Sequence, residues 1–195
     1  MSDITPNSID VFLGALEEQL AVRGERFELV VIGGSALLAL GLVERTTRDV
    51  DIVALRSEEE LDSANPLPKG LRIARDLVAR DFSLKEGWLN SGPTKFLDFE
   101  LPEGFVDRLE RRDYGLGLVV YFASRYDQIH FKLYAAVDEG GPGKHEKDLR
   151  ALAPAKDELI AAARWSRTHD VSEGYAEELR AALEFLGVTD VDLSA

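Results

Sequence analysis

The sequence predicts an α/β (α+β) fold, in which a small mixed β-sheet is flanked by helices and followed by a helical C-terminal part. Short apolar runs rich in Val and Ile alternate with longer amphipathic segments up to about residue 123, and only helical patterns follow. The composition, 45% hydrophobic and 30% charged, is that of a globular protein. We therefore expect a core over residues 1–123 and a helical part over 124–195, packed as one unit with the core.

The helices are predicted from apolar side chains that recur at helical spacing. Asn7 or Ser8 can cap the first helix, Ser35 the second and Ser124 the fourth. The predicted helices cover 8–22, 35–43, 71–82, about 125–137, 145–152, 154–166 and 173–186.

The strands are predicted from short apolar runs at 27–32, 49–55 and 116–123. Residues 83–116 are ambiguous: 95–101 alternates and could form a strand, whereas 106–112 is short and polar. Loops are predicted at 57–68 and 139–143, where Pro or Gly-Gly and Pro-Gly interrupt regular structure.

The charge and composition exclude several classes of protein. With 23 basic and 36 acidic side chains the formal net charge is −13, which disfavours nonspecific binding to duplex DNA. The chain has no Cys and only three His, so thiolate chemistry is excluded and a histidine-built metal site is not expected. No apolar run is long enough to cross a membrane, and the first residues do not resemble a secretory signal; we expect a cytoplasmic protein.

Asp49 and Asp51 are the first candidate functional residues. Side chains two apart on a strand share a face, so the second predicted strand places two carboxylates together, while Val50 and Ile52 face the core. Adjacent carboxylates repel each other unless a cation lies between them, and Mg²⁺ is commonly held by one or two carboxylates plus substrate phosphates. The alternative is a half-exposed strand with a polar face.

Gly33, Gly34 and Ser35 form the second candidate feature, at a strand-to-helix turn. Glycines allow close approach of a ligand to the backbone, and backbone N–H groups at such a turn suit phosphate. An ordinary turn is the alternative interpretation. Because Asp49 lies 14 residues after Ser35, the turn and the two aspartates together predict one site for a triphosphate and Mg²⁺.

These residues resemble the nucleotidyltransferase superfamily that has the catalytic core of DNA polymerase β, whose signature is a Gly-Ser turn, a short helix and a D-x-D strand. The pattern Arg45-x-Thr47-x-Asp49-x-Asp51 resembles the AbiEii-like and MenT-like branch, which includes toxins of bacterial toxin–antitoxin systems. That branch also carries a downstream Lys and Asp, for which Lys132 and Asp148 are the candidates.

The resemblance implies Mg²⁺-dependent transfer of a nucleotide from an NTP, with one or two Mg²⁺ ions. It assigns metal binding to Asp49 and Asp51 and catalytic roles to these two and to Lys132 and Asp148. The expected nucleotide-binding residues are Gly33, Gly34, Ser35, Arg45, Thr47 and Arg48.

Polymerase-like members have a third carboxylate on a neighbouring strand, whereas residues 116–123 contain no acid. Asp98 or Glu100 could serve, or Asp148 could replace it. A chain without the third carboxylate could also be a degenerate member that binds a nucleotide or a partner without turnover.

The resemblance suggests tRNA, another RNA or a protein hydroxyl as the acceptor, with an antitoxin as a possible partner protein. The net charge of −13 instead favours a small cationic acceptor, as for nucleotidyltransferases that modify aminoglycosides.

Three further residues have competing interpretations. Lys132 lies in an apolar run and either extends to solvent or faces the triphosphate. His145 lies beside two lysines and either lines a phosphate pocket or belongs to a solvated loop. Trp88 either stacks on a base or lies in the core, while Trp165 is expected in the core.

Overall fold

A computed structural model of the chain describes residues 2–58, 60–139, 143–189, 191 and 193. Helices and a mixed β-sheet both occur, which confirms the predicted α/β class. The chain divides into two compact units. The first comprises Met1–Asp98 and Val106–Ala123, and the second comprises Phe99–Phe105 and Ser124–Ala195.

The first unit is built on a six-stranded sheet in the order β3-β2-β1-β6-β5, with β4 paired to β2. The strands are β1 Phe27–Ile32, β2 Val50–Ser57, β3 Glu60–Asp62, β4 Leu89–Asn90, β5 Glu110–Asp113 and β6 Leu118–Phe122. The central strand β1 is antiparallel to β2 and parallel to β6. Leu29, Val30 and Val31 of β1 are fully buried, as expected for a strand in the middle of a sheet.

Three helices of the first unit are α1 Ile9–Ala21, α2 Gly33–Ala39 and α3 Lys69–Phe82. The ring of Phe12 on α1 meets the rings of Phe82 and Trp88 edge to face. Trp88 is fully buried and its indole N–H donates to the carbonyl of Arg75 at 3.0 Å. Trp88 is therefore a core residue, and the base-stacking interpretation is wrong.

Helix α2 begins earlier and ends earlier than predicted. It starts at Gly33, so Ser35 lies inside the helix and is not its N-cap. At the other end Gly41 has φ +68°, and the N–H groups of Gly41 and Leu42 donate to the carbonyls of Leu38 and Leu37. This pair of hydrogen bonds is the Schellman arrangement, which ends a helix at a glycine.

Residues 95–101 do not form the strand that their alternation suggested. Gly92–Asp98 is a 3₁₀ helix, because the backbone is held there by side-chain hydrogen bonds. The Asn90 side-chain oxygen accepts from the N–H of Gly92 at 3.0 Å, and the Thr94 hydroxyl donates to the carbonyl of Val53 at 2.8 Å. The predicted loop 57–68 contains β3, and the polar segment 106–112 contains most of the exposed edge strand β5.

The second unit is helical, with α4 Arg125–Asp138, α5 Lys144–Leu152, α6 Lys156–His169 and α7 Glu173–Phe185. As predicted, Ser124 caps α4: its hydroxyl accepts from the N–H of Asp127 at 3.3 Å. Trp165 is buried, and its indole N–H donates to the carbonyl of Glu100 at 2.7 Å. Residues 140–142 of the predicted loop 139–143 lie outside the described residues. No helix in the described part of the chain has the length and apolar character needed to span a membrane.

Candidate functional site

The carboxylate of Asp51 lies against the backbone at the end of β1. The sheet register pairs Ile32 with Asp51, and Gly33 follows with φ +77°, in the left-handed region that favours glycine. A β-carbon added at Gly33 would lie only 2.8 Å from Oδ2 of Asp51. Glycine is therefore required here both by the backbone conformation and by the close approach of the carboxylate.

Arg45 and Thr47 lie against the next residue, Gly34. A β-carbon at Gly34 would lie 2.9 Å from Nη2 of Arg45 and 3.1 Å from Oγ1 of Thr47. Thr47 is held in place by two backbone hydrogen bonds with Ile4, at 2.7 and 3.0 Å. Arg45 also donates from Nη1 to the carbonyl of Thr46 at 2.9 Å. The structure thus brings a cation and a hydroxyl to the glycine turn that the carboxylate of Asp51 also approaches.

Ser35 is fully buried in α2, and its hydroxyl has no hydrogen-bond partner among the described atoms. A buried hydroxyl without a partner is unusual, because most buried polar groups in proteins are hydrogen-bonded. The nucleotide-binding role of Ser35 stays a prediction.

Only one of the two predicted metal ligands lies within the strand. Asp51 belongs to β2, whereas Asp49 precedes it, so the expectation that both aspartates share a strand is wrong. Val50 and Ile52 are fully buried, as predicted, and they fix this end of the strand. Asp49 pairs with Lys85, whose Nζ is 2.9 Å from Oδ1.

Asn90 is a site residue that the sequence analysis missed. It pairs with Asp51 in the parallel β2–β4 ladder, and its Nδ2 donates to Oδ1 of Asp51 at 2.9 Å. Because Oδ1 of Asn90 accepts from Gly92, the amide nitrogen must face the carboxylate. The N-x-G pattern is typical of an Asx turn and could have identified the turn, but not its contact with Asp51.

Arg48 has a different environment from Arg45. Its Nε donates to Oδ1 of Asp3 at 3.2 Å, and its side chain is 69% exposed. Arg45 contacts the glycine turn, whereas Arg48 pairs with Asp3. The nucleotide-binding role of Arg48 stays a prediction.

The candidate third carboxylates lie outside strands. Asp98 ends the 3₁₀ helix of the first unit, and Glu100 belongs to the second unit, where its carbonyl accepts from Trp165. Within the described residues no cluster of three or more His, Asp or Glu side chains could hold a metal ion. The donor set at Asp49 and Asp51 still fits Mg²⁺, which needs only one or two carboxylates when phosphates and water complete its coordination.

Lys132 and Asp148 form a buried ion pair in the second unit. Nζ of Lys132 on α4 is 2.7 Å from Oδ2 of Asp148 on α5, and the two side chains are 4% and 1% exposed. Lys132 therefore does not extend to solvent. The catalytic roles that the resemblance gives these two residues stay predictions.

His145 extends this polar cluster. Its Nδ1 is 3.5 Å from Nζ of Lys132, and its Nε2 is 3.1 Å from Oε1 of Glu139. Burial and the nearby charge of Lys132 lower the pKa of His145 to about 4, so the ring is neutral near pH 7. The residue lies on α5 and is largely buried, so its assignment to a solvated loop is wrong.

Comparison with known families indicates the class of protein to which the chain belongs. The chain matches the model of a family described as "Nucleotidyltransferase of unknown function (DUF6036)" over residues 12–150, more than two thirds of its length. The chain therefore belongs to this family of nucleotidyltransferases. No curated protein and no solved structure gives a significant match.

Proposed function

We propose that this chain transfers a nucleoside monophosphate from an NTP to an acceptor hydroxyl in a Mg²⁺-dependent reaction. The observation that carries the proposal is the position of Asp51 over Gly33, with Arg45 and Thr47 against Gly34. This arrangement places a carboxylate, a cation and a hydroxyl around one glycine turn in a chain of the nucleotidyltransferase family.

Asp49 and Asp51 would hold the metal ion. Mg²⁺ bound there would neutralise phosphate charge and stabilise the attacking and departing oxygens. Asn90 donates to Asp51 and so fixes the orientation of the carboxylate, and a ligating carboxylate is commonly hydrogen-bonded in this way.

The remaining groups at the turn would bind the phosphates. The Arg45 guanidinium carries a permanent charge and a planar set of donors that suits phosphate oxygens. The hydroxyls of Thr47 and Ser35 add neutral donors, and the absence of side chains at Gly33 and Gly34 lets the phosphates approach the backbone.

In the transfer step an acceptor oxygen forms a bond to the α-phosphorus, and the bond from that phosphorus to the bridging oxygen breaks. Pyrophosphate leaves with the bonding electron pair, and the acceptor proton passes to solvent. Arg45 offsets the negative charge that develops on the phosphates.

For the acceptor we propose tRNA or another RNA, or a protein hydroxyl, in a toxin-like setting with a cognate antitoxin. A small cationic acceptor of the aminoglycoside type is the second candidate, because the net charge of −13 attracts cations. The third candidate is a chain that binds a nucleotide or a partner without turnover, because the described residues contain no cluster of three or more His, Asp or Glu side chains that could hold a metal ion.

The experiment incubates the full chain with each labelled NTP and Mg²⁺, and offers total RNA, a protein mixture or an aminoglycoside as acceptor. Asp51→Asn is the test variant, and Asp62→Asn, on the exposed strand β3 of the same sheet, is the matched control. Label transfer by the wild type and by Asp62→Asn, but not by Asp51→Asn, supports the proposal. Transfer that persists in a folded Asp51→Asn variant refutes it, and nucleotide binding without transfer to any acceptor favours the third candidate.

A further inference from the structure

One short segment supplies a nitrogen donor to each aspartate of the candidate site. Lys85, three residues after α3, places Nζ 2.9 Å from Oδ1 of Asp49. Asn90, at the end of β4, places Nδ2 2.9 Å from Oδ1 of Asp51. The N–H of Val50 donates to the carbonyl of Trp88 at 2.6 Å, so this segment is fixed to the start of β2 between the two aspartates.

The two donors differ in how firmly they are held. Asn90 is fixed on both sides, because its Oδ1 accepts from Gly92 while its backbone pairs with β2. Lys85 is 46% exposed and Asp49 is 34% exposed, and a lysine ammonium is a mobile point charge on a flexible stem. An ion pair with this exposure contributes little to stability and is easily broken.

We propose that Lys85 is the counter-ion of Asp49 in the metal-free protein and leaves Asp49 when a divalent cation binds, whereas Asn90 stays bonded to Asp51 and keeps it oriented. This inference rests on the proposed function, because it takes Asp49 and Asp51 as the metal ligands.

The competition between Lys85 and the metal ion follows from their charges. Without a metal ion, a carboxylate pair is less repulsive when one member is neutralised, and the Lys85 ammonium does this for Asp49. A divalent cation neutralises both carboxylates, and the Lys85 ammonium would then lie close to a second positive charge. The lysine and the metal ion therefore compete for the same carboxylate. Asn90 is uncharged, so its donation to Asp51 is compatible with a metal ion on the other side of the carboxylate.

The test measures the binding of Mn²⁺ alone to the full chain. The concentration of free Mn²⁺ is determined by electron paramagnetic resonance. Lys85→Gln removes the competing charge and is expected to tighten Mn²⁺ binding by about two- to fivefold, the fold-change that an exposed ion pair allows. Asn90→Ala removes the orienting donor and is expected to weaken binding by about tenfold or more, as outer-shell variants of metal sites do. Lys95→Gln, an exposed lysine of the same unit, removes the same charge and should leave the affinity unchanged.

Urea unfolding of each variant confirms that it is folded before its affinity is compared. If Lys85→Gln binds Mn²⁺ no more tightly than Lys95→Gln does, the lysine does not compete with the metal and the inference is wrong. Unchanged or tighter Mn²⁺ binding by Asn90→Ala would contradict the proposal that Asn90 orients Asp51. A wild-type chain that binds no Mn²⁺, or binding that survives Asp51→Asn, contradicts the proposed metal site itself rather than the roles of Lys85 and Asn90.

Discussion

The carboxylate of Asp51 occupies the space that a side chain at Gly33 would need. A β-carbon there would lie 2.8 Å from Oδ2 of Asp51, and the backbone of Gly33 has φ +77°. The strand register produces this contact, because Asp51 pairs with Ile32, the residue before Gly33. The glycine turn and the aspartate are therefore one structural feature.

Gly33→Ala is expected to abolish nucleotide binding while leaving the chain folded. The variant forces an L-residue into the left-handed region, at a cost of about 1–2 kcal/mol in the free energy of unfolding. It also pushes the Asp51 carboxylate out of its position, which breaks its hydrogen bond with Asn90. Urea unfolding measures the stability, and isothermal titration with NTP and Mg²⁺ measures binding.

Gly41→Ala is the matched control for that variant. Gly41 ends the same helix, has φ +68° and has open space where a β-carbon would be. It should show a similar loss of stability with normal nucleotide binding. Equal binding by the two variants would show that the contact between Gly33 and Asp51 has no functional role.

Gly34→Ala tests the contact with Arg45. In an exposed helix Gly→Ala commonly adds about 0.5–1 kcal/mol of stability, and Gly14→Ala in α1, which has open space, should do so. At Gly34 the new methyl group would lie 2.9 Å from Arg45 and must displace the guanidinium. We expect NTP affinity to fall by about tenfold, the loss of a hydrogen bond to a charged group. Normal affinity in Gly34→Ala would argue against Arg45 as a phosphate ligand.

The sequence predicted the parts of the candidate site that are local in the chain. Gly33 and Gly34 directly follow a strand and begin a helix, and Asp51 lies on the next strand, so spacing and strand pairing alone indicate that they meet. The contacts of Asp51 with Asn90 and of Asp49 with Lys85 span 39 and 36 residues. No periodicity or local motif encodes such contacts, because they depend on how β4 pairs with β2.

The 3₁₀ helix Gly92–Asp98, which overlaps a segment whose pattern also allowed a strand, has a similar cause. Alternation at 95–101 is the pattern of a strand, but the Thr94 hydroxyl bonds to the carbonyl of Val53, 41 residues earlier. This contact and the Asx turn at Asn90 fix the backbone in a tight helical form. Tertiary hydrogen bonds here outweigh the local preference, which is why the pattern alone was insufficient.

Lys132→Met is expected to destabilise the second unit strongly. The substitution leaves the carboxylate of Asp148 buried at 1% exposure without its ion-pair partner, which costs about 3–5 kcal/mol. Replacing both residues, as in Lys132→Met with Asp148→Leu, removes the uncompensated charge and should recover much of that loss. Urea unfolding of the wild type, the two single variants and the double variant forms a complete double-mutant cycle. Additive losses in this cycle would show that the two side chains do not interact energetically.

The last prediction concerns pH and follows from His145. Burial and the Lys132 ammonium lower the pKa of His145 to about 4, whereas an unfolded chain has an ordinary histidine pKa of about 6.5. Between these two values the unfolded state binds more protons than the folded state, so acid favours unfolding. The contribution of His145 to stability is complete above about pH 6.5 and is lost as the pH falls towards about 4.

His145→Gln removes this titration but keeps a polar side chain of similar reach. The charged groups that act on His145 are Lys132, Glu139, Lys144 and Asp148, and all are retained in the variant. Urea unfolding of the wild type and the variant between about pH 7 and about pH 5 measures the difference in their free energies of unfolding.

We expect the wild type to lose more stability than His145→Gln over this range, because only the wild type must keep residue 145 as a neutral histidine against protonation. His169, whose pKa is also lowered by burial, is present in both proteins, so its contribution cancels in the difference. A difference that stays constant across the range would mean that His145 titrates normally and is not held neutral by Lys132 and its buried position.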